Sequence, residues 1–101
     1  MAQTPEAKVK AKVVATLKDE GVYYFFPVTG GYGRSGVPDI VCCVNGWFFA
    51  IECKAGTNKP TLLQVNEIER IRRANGVAVV VNEANWDMVR DLVRKLKETT
   101  K

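Results

Sequence analysis

Apolar residues recur along the chain with two periods, one typical of helices and the other of strands. Residues 5–19 carry apolar positions at helical spacing, with Thr4 as the N-cap, Pro5 at the first helical position and Gly21 as the stop. Similar signals predict two further helices: residues 61–75, closed by Gly76, and a helix that follows the cap Asn85 and carries the apolar stripe Trp86, Val89, Val93 and Leu96.

Four other segments are rich in β-branched and aromatic residues and predict strands. Asn45-Gly46 between two of them is a strong signal for a two-residue hairpin. The predicted strands are residues 22–28, 37–44, 47–54 and 77–82. The element order αβββαβα, a meander followed by a β-α-β crossover, predicts an α/β fold with a mixed four-stranded sheet flanked by helices.

Composition limits the size of the protein and the chemistry open to it. With 101 residues, 47% of them apolar, and no linker-like stretch, residues 1–101 are expected to form one domain. The net charge of +4 favours anionic partners. The absence of histidine excludes imidazole catalysis and zinc sites of the Cys/His type, so a metal would be held mainly by oxygen or thiolate ligands.

Cysteines and the chain start bear on the cellular compartment. Cys42, Cys43 and Cys53 lie in apolar runs without CxxC spacing and are interpreted as reduced core residues. The polar start lacks the apolar core of a signal peptide, and no stretch reaches the roughly 18 apolar residues of a membrane span. We therefore expect a soluble, cytoplasmic protein.

The predicted hairpin brings acidic residues together. If Asn45-Gly46 is a two-residue turn, Val44 faces Trp47, and Asp39 lies directly opposite Glu52. Two carboxylates about 5 Å apart repel unless a cation lies between them, and a divalent metal is the simplest such cation. Lys54 lies two residues beyond Glu52, on the same face of the sheet. Alternatively, Asp39 is an ordinary strand-entry residue, and the other two form a solvated ion pair.

Two helical residues are candidates for the same site. Glu6 projects within about 20° of Val13 and Leu17 on the buried face of the first helix. Gln64 projects between Ile68 and Ile71 and follows Thr61 by three residues. Each has an alternative explanation, because a first-turn Glu complements the helix dipole and Thr-x-x-Gln is a capping box.

The glycine-rich segment 29–36, TGGYGRSG, lacks the Gly-Lys-Ser/Thr ending of a Walker loop and leads into a strand. Tyr32, Arg34 and Ser35 in this segment are candidates for contact with nucleic acid, by stacking or by binding a phosphate. A solvated loop tip is the alternative. Basic residues on the helices are interpreted as solvated faces: Lys8, Lys12, Arg70, Arg73, Arg94 and Lys95.

Taken together, Gly36-Val37-Pro38-Asp39, the hairpin, Ile51-Glu52-Cys53-Lys54 and Gln64 resemble the PD-(D/E)xK nuclease superfamily. Within it, GVPDIV, AIECKAG and the downstream Gln are similar to the virus-type replication-repair nuclease (VRR-NUC) family, in its standalone phage or viral form. The resemblance extends from Glu6 to the last helix. It implies a restriction-endonuclease-like core.

The resemblance also implies residue roles. Asp39 and Glu52 would bind Mg²⁺ or Mn²⁺ with the backbone carbonyl of Cys53, and Glu6 would be an outer or second-metal ligand. Lys54 would orient the attacking water or stabilise charge on the phosphate, and Gln64 would support the site. Hard oxygen ligands suit these two metals.

These roles indicate a hydrolase, a metal-dependent endodeoxyribonuclease. The resemblance implies a homodimer that acts on branched DNA in repair or recombination, like Holliday-junction resolvases, in the host cytoplasm if the protein is viral. Other readings are a flap or nicking nuclease, a restriction-type duplex nuclease, a non-catalytic nucleic-acid-binding module, or an unrelated interaction domain with surface acids.

Overall fold

The computed structural model of the chain describes residues 3–28 and 33–101. These residues form three helices and four strands, which follow one another in the predicted order αβββαβα. The elements are α1 (Pro5–Asp19), β1 (Tyr23–Phe25), β2 (Ile40–Val44), β3 (Trp47–Cys53), α2 (Leu62–Arg73), β4 (Val77–Val81) and α3 (Met88–Glu98).

Local signals at the chain's turns set the element boundaries. The side chain of Thr4 accepts a hydrogen bond from the backbone N–H of Ala7 and caps α1, whose first helical residue is Pro5. Asn45 and Gly46 both have positive φ, 53° and 81°, as a tight hairpin turn requires. The predicted start of α1 and the predicted hairpin are therefore confirmed.

The four strands form one mixed sheet in the order β1-β2-β3-β4, antiparallel except for the parallel pair β3 and β4. Because side chains alternate across a strand, the sheet has two different faces. One face packs against α1 and α3 and holds most of the buried core, including Phe49, Ile51 and Cys53 of β3. The other face packs against α2 through a small cluster of Ala50, Ile68 and Ala78. The predicted α/β fold is confirmed.

The strands are shorter than predicted. β1 ends at Phe25 instead of Val28, and β2 begins at Ile40 instead of Val37. Proline lies just outside each of these ends, at Pro27 and Pro38. A proline has no N–H to donate to a neighbouring strand, so the ladder stops short of it. β3 and β4 each end one residue earlier than predicted, at Cys53 and Val81.

The predicted cap of the third helix was wrong. α3 begins at Met88 and follows Asp87, so Asn85 lies in the preceding turn. There, Asn85 Oδ1 accepts a hydrogen bond from the backbone N–H of Asn82 at 2.7 Å. Asn82 Oδ1 in turn accepts one from the backbone N–H of Ala84. The Asn85 side chain is thus used to close the turn, and Trp86 precedes the helix.

The expectation for the cysteines was wrong for one of the three. Cys42 and Cys53 are buried thiols, but Cys43 is exposed. Cys43 alternates with Cys42 along β2 and lies on the sheet face of α2, which covers β3 and β4 and leaves this part of β2 open. Within the described residues, no helix has the length and apolar content needed to cross a membrane.

Candidate metal and phosphodiester site

The hairpin places Asp39 beside the end of β3. The observed register pairs Ile40 with Ile51 and Val44 with Trp47, as predicted, so Asp39 continues the ladder opposite Glu52. Its carboxylate is fixed by a hydrogen bond in which the backbone N–H of Cys53 donates to Asp39 Oδ2 over 2.8 Å. The backbone of β3 thus holds one acid next to the residue that carries the other.

Glu52 is an acid inside the protein, with only 2% of its surface exposed. Its Oε2 atom accepts a hydrogen bond from Gln64 Nε2 at 2.8 Å and lies 3.4 Å from Lys54 Nζ. Its other oxygen, Oε1, is buried and receives no hydrogen bond from any residue that the structure describes. An unpaired buried carboxylate oxygen is destabilising, because it has lost its water without gaining a partner.

Burial makes the ionised form of Glu52 unfavourable. Desolvation is the largest cause that raises the pKa of this carboxyl, and the negative charge of Asp39 raises it further, to about 7 from an ordinary value of 4.5. The ammonium of Lys54 acts in the opposite direction and lowers the pKa. Near neutral pH the site is therefore short of positive charge.

Lys54 is held at this spot by the sheet. It follows the last residue of β3, and its backbone N–H donates to the carbonyl of Val81 at 2.9 Å, which continues the β3–β4 pairing by one bond. Only 12% of its side chain is exposed. The ammonium is thus kept next to the Glu52 carboxylate, on the predicted face of the sheet.

Gln64 forms the predicted capping box and also contacts Glu52. Its Oε1 accepts from the backbone N–H of Thr61 and its own backbone N–H donates to the Thr61 hydroxyl, which completes a capping box at the start of α2. Its Nε2 donates to Glu52. The cap therefore fixes the orientation of the amide that contacts the buried acid.

The two carboxylates fit a divalent cation. Asp39 and Glu52 supply hard oxygen donors, and the orphaned Oε1 of Glu52 is the kind of buried atom that a bound cation would satisfy. Among the described residues, no three Cys, Asp or Glu side chains come together as a metal-binding cluster. Two carboxylates would leave further coordination positions for water, backbone carbonyl or a phosphate oxygen, as is common for Mg²⁺.

Glu6 is not placed as a third side-chain ligand. It lies in the first turn of α1, half-buried, and α1 packs on the sheet face opposite to that of Glu52. Its charge acts instead on Cys53, whose thiol pKa is raised to about 12, mainly by burial, with smaller contributions from Asp39, Glu52 and Glu6. A first-turn acid complements the dipole of α1. The metal role of Glu6 stays a prediction.

Two of the loop candidates, Arg34 and Ser35, lie on the α2 side of the sheet. Tyr32 falls outside the described residues. Ser35 is exposed, and Arg34 is exposed except for an ion pair in which its Nε lies 3.1 Å from Glu67 Oε1. The sequence analysis missed Glu67, although residues 63, 66, 67 and 70 have the spacing of one helical stripe.

No match to this chain was found among protein-family models or in the search of curated proteins. The class of the site therefore rests on its geometry: a buried acid with an orphaned oxygen, a second acid fixed beside it, a lysine and an amide. This set of groups is suited to binding a divalent cation and a negatively charged oxygen next to it.

Proposed function

We propose that this protein is a metal-dependent endonuclease of the PD-(D/E)xK type that hydrolyses phosphodiester bonds in DNA. The observation that carries the proposal is the buried, unpaired Oε1 of Glu52, in a carboxylate that also contacts Lys54 and Gln64. A fold without a ligand here would be more stable with an apolar residue at this position. A cation and a phosphate give the charged residues a function.

Asp39 and Glu52 would hold Mg²⁺ or Mn²⁺, with the backbone carbonyl of Cys53 proposed as a further ligand. When bound, such a cation supplies a nucleophile from water at neutral pH and offsets negative charge on the phosphate. The two acids and Lys54 carry a formal charge of −1, and a divalent cation changes it to +1, which attracts a phosphodiester. This attraction explains how a site with two acids could bind DNA.

Lys54 would act on the attacking water or the phosphate, and Gln64 would act on Glu52. The ammonium of Lys54 is held at the carboxylate edge, where it would orient the attacking water or stabilise the charge that develops on the phosphate. Gln64 positions Glu52 by donating to its Oε2 and leaves Oε1 for the cation. The chain has no histidine, so no imidazole takes part in proton transfer.

The finer parts of the proposal come from the resemblance of GVPDIV and AIECKAG to the VRR-NUC family. They are a preference for branched or junction DNA, a homodimer with two active sites for two strands, and a role in DNA repair or recombination. A cytoplasmic location is proposed on a separate ground, because all three cysteines are free thiols.

A cleavage panel tests the enzyme class and the substrate together. Wild type, Lys54→Ala and Lys95→Ala are incubated with labelled four-way junction, flap, single-stranded and plain duplex DNA, in Mg²⁺, Mn²⁺ or EDTA. Lys95 is an exposed lysine of α3, on the other side of the sheet, and serves as the charge-matched control. Equal unfolding midpoints show that both variants are folded.

We expect the junction to be cut with metal by wild type and Lys95→Ala, and not by Lys54→Ala. Preferred cutting of the flap or the plain duplex would change the substrate and keep the enzyme class. Metal-independent binding without cutting would support a non-catalytic nucleic-acid-binding module. Indifference of the protein to metal and to all four DNAs would support an unrelated interaction domain.

A further inference from the structure

A concave groove runs along one flank of α2. It consists of two adjoining cavities of about 360 Å³ and 590 Å³, which share Arg34, Glu67 and Arg70 in their walls. The α2 residues that line it are spaced three or four apart, so one stripe of the helix forms the wall. The groove is thus a continuous feature made by α2 and the segment around Arg34.

The segment around Arg34 is fastened to α2 at two points. Gly36 has a φ of +81°, and a Cβ at this position would lie 2.6 Å from the backbone of Leu63, so only glycine fits this approach. Two residues earlier, Arg34 pairs with Glu67, whose side chain is only 12% exposed. These contacts fix one cationic side chain against the helix and make the groove a built site.

Positive charge dominates the larger cavity. Arg34, Arg70 and Arg73 line it with one acid, Glu67, which leaves a formal charge of +2, and Ser35 adds a hydrogen-bonding group. Arginine presents several N–H donors in a planar fork that matches phosphate oxygens. The charge and the donors favour a ligand with more than one phosphate.

The smaller cavity has an aromatic wall that the larger one lacks. Phe48 and Ile71 line it together with Arg70, and Phe48 is 45% exposed although it lies in β3. The strands next to β3 on this side are not covered by α2. Cys43, which pairs with Phe48, and Tyr23, which pairs with Cys43, are therefore exposed too. An exposed aromatic ring beside arginines is the arrangement on which unpaired bases stack.

The groove and the acid site lie on the same face of the sheet. Phe48, Ala50 and Glu52 alternate along β3 and lie on the same face of the sheet, under α2. Along α2, Arg70 is six residues from Gln64, a rise of about 9 Å. A strand of duplex DNA carries one charge per 3.4 Å along its axis, and an unstacked single strand is more extended, so at most about three nucleotides span this distance.

We infer that this groove binds a single-stranded segment of the DNA substrate, with phosphates on Arg34, Arg70 and Arg73 and a base against Phe48. The inference rests on the proposed function for the identity of the ligand as DNA. It adds an unpaired strand beside the cleaved phosphodiester, a feature of flap or forked DNA that a plain duplex and a fully paired four-way junction lack.

The test is binding without cleavage, so that it does not depend on catalysis. The probe is a fluorescein-labelled oligothymidine of about 12 nucleotides, a typical length for such sites, with anisotropy measured in EDTA over a range of salt concentrations. The groove variants are Arg70→Gln/Arg73→Gln and Phe48→Leu. The control is Lys8→Gln/Lys95→Gln, which removes the same charge from α1 and α3, across the sheet.

We expect Arg70→Gln/Arg73→Gln to weaken binding about tenfold and to reduce the slope of log K against log salt by about 1.4, for two lost phosphate contacts. Phe48→Leu should weaken binding about tenfold without changing the slope. The control should change neither beyond the general effect of net charge.

The inference is overturned if wild type does not bind the oligonucleotide, or if groove and control variants have the same affinity and slope. Junction cleavage by wild type would then leave the proposed function standing. Conversely, a groove-specific loss in a protein that cuts nothing would retain the groove and refute the nuclease.

Discussion

Replacing Glu52 with glutamine tests whether an uncompensated buried acid is the centre of the site. Glu52→Gln keeps the size of the side chain and an oxygen that can accept from Gln64, and it removes the charge. In the metal-free protein the pKa of Glu52 is raised from 4.5 to about 7, chiefly by burial. At 1.36 kcal/mol for each pKa unit, this difference corresponds to about 3 kcal/mol of folding free energy.

The sign follows from proton binding. Between pH 4.5 and about 7 the folded protein keeps the Glu52 proton and the unfolded chain has lost it, so the folded state binds more protons. The free energy of unfolding therefore falls as the pH rises through this window. Above about pH 7 the contribution of Glu52 no longer changes with pH. Glu52→Gln has no proton to lose. Its stability relative to wild type should increase by about 3 kcal/mol from pH 4.5 to pH 8.

Urea unfolding of both proteins in EDTA, at about five pH values from 4.5 to 8, measures the difference, and titrations common to both proteins cancel. At pH 8, saturating Mn²⁺ should then stabilise wild type by RT ln(1 + [Mn²⁺]/Kd), about 2.7 kcal/mol at one hundred times Kd, and leave Glu52→Gln unchanged. Parallel pH profiles would refute the buried-acid argument. Equal responses to Mn²⁺ would refute Glu52 as a ligand.

Three further substitutions test the supports of the site. Gln64→Glu keeps the helix cap but replaces the amide that donates to Glu52 with a second negative charge. Urea unfolding at pH 8 in EDTA should show that the free energy of unfolding falls by about 1–3 kcal/mol. An unchanged midpoint would contradict this hydrogen bond. Gly36→Ala should destabilise the protein more than Gly21→Ala. Both glycines have positive φ, which costs an alanine about 1–2 kcal/mol, but only at Gly36 would the Cβ also lie 2.6 Å from the α2 backbone. Equal thermal shifts of the two variants would refute the close approach. Asn45→Gly keeps the hairpin turn but removes the amide that donates to the backbone carbonyls of Leu96 and Thr99, at and just after the end of α3. Hydrogen exchange should therefore accelerate at the end of α3, and the protein should lose about 1 kcal/mol of stability. Unchanged exchange there would argue against this cap.

Most of the fold could be predicted because its signals are local. Thr4-Pro5 starts α1 and Asn45-Gly46 turns the hairpin, whatever the rest of the chain does. Predictions failed where two local signals competed. Asn85 is a good cap residue, but Asn82 is near enough to engage it in a turn first. Where a strand ends near Pro27 or Pro38 depends on the hydrogen bonds that the neighbouring strand makes with it. The sequence of one segment alone does not show that pairing.

The acid pair was predictable for a different reason. A two-residue hairpin fixes the register, and the register fixes which side chains face each other, so Asp39 and Glu52 could be paired from their numbers alone. The groove could not be found in this way. Arg34 and Glu67 are far apart in the chain, and their contact depends on how the Gly36 segment docks on α2, which no periodicity encodes.

The orientation of Gln64 shows that a helix-capping side chain can also contact the buried acid. A capping box restricts the side chain of its third residue, because that side chain must reach back to the N-cap backbone. Once Oε1 of Gln64 is engaged with Thr61, Nε2 can point only away from the helix end, and there it meets Glu52. Because the cap already fixes the Gln64 side chain, the hydrogen bond to Glu52 costs less conformational entropy. Gln64 donates to Oε2, and Glu52 Oε1 receives no hydrogen bond from any residue that the structure describes. An apolar residue in place of Glu52 would relieve that unpaired oxygen without disturbing the cap, so stability does not account for the acid, and this is the reason for proposing that it binds a cation.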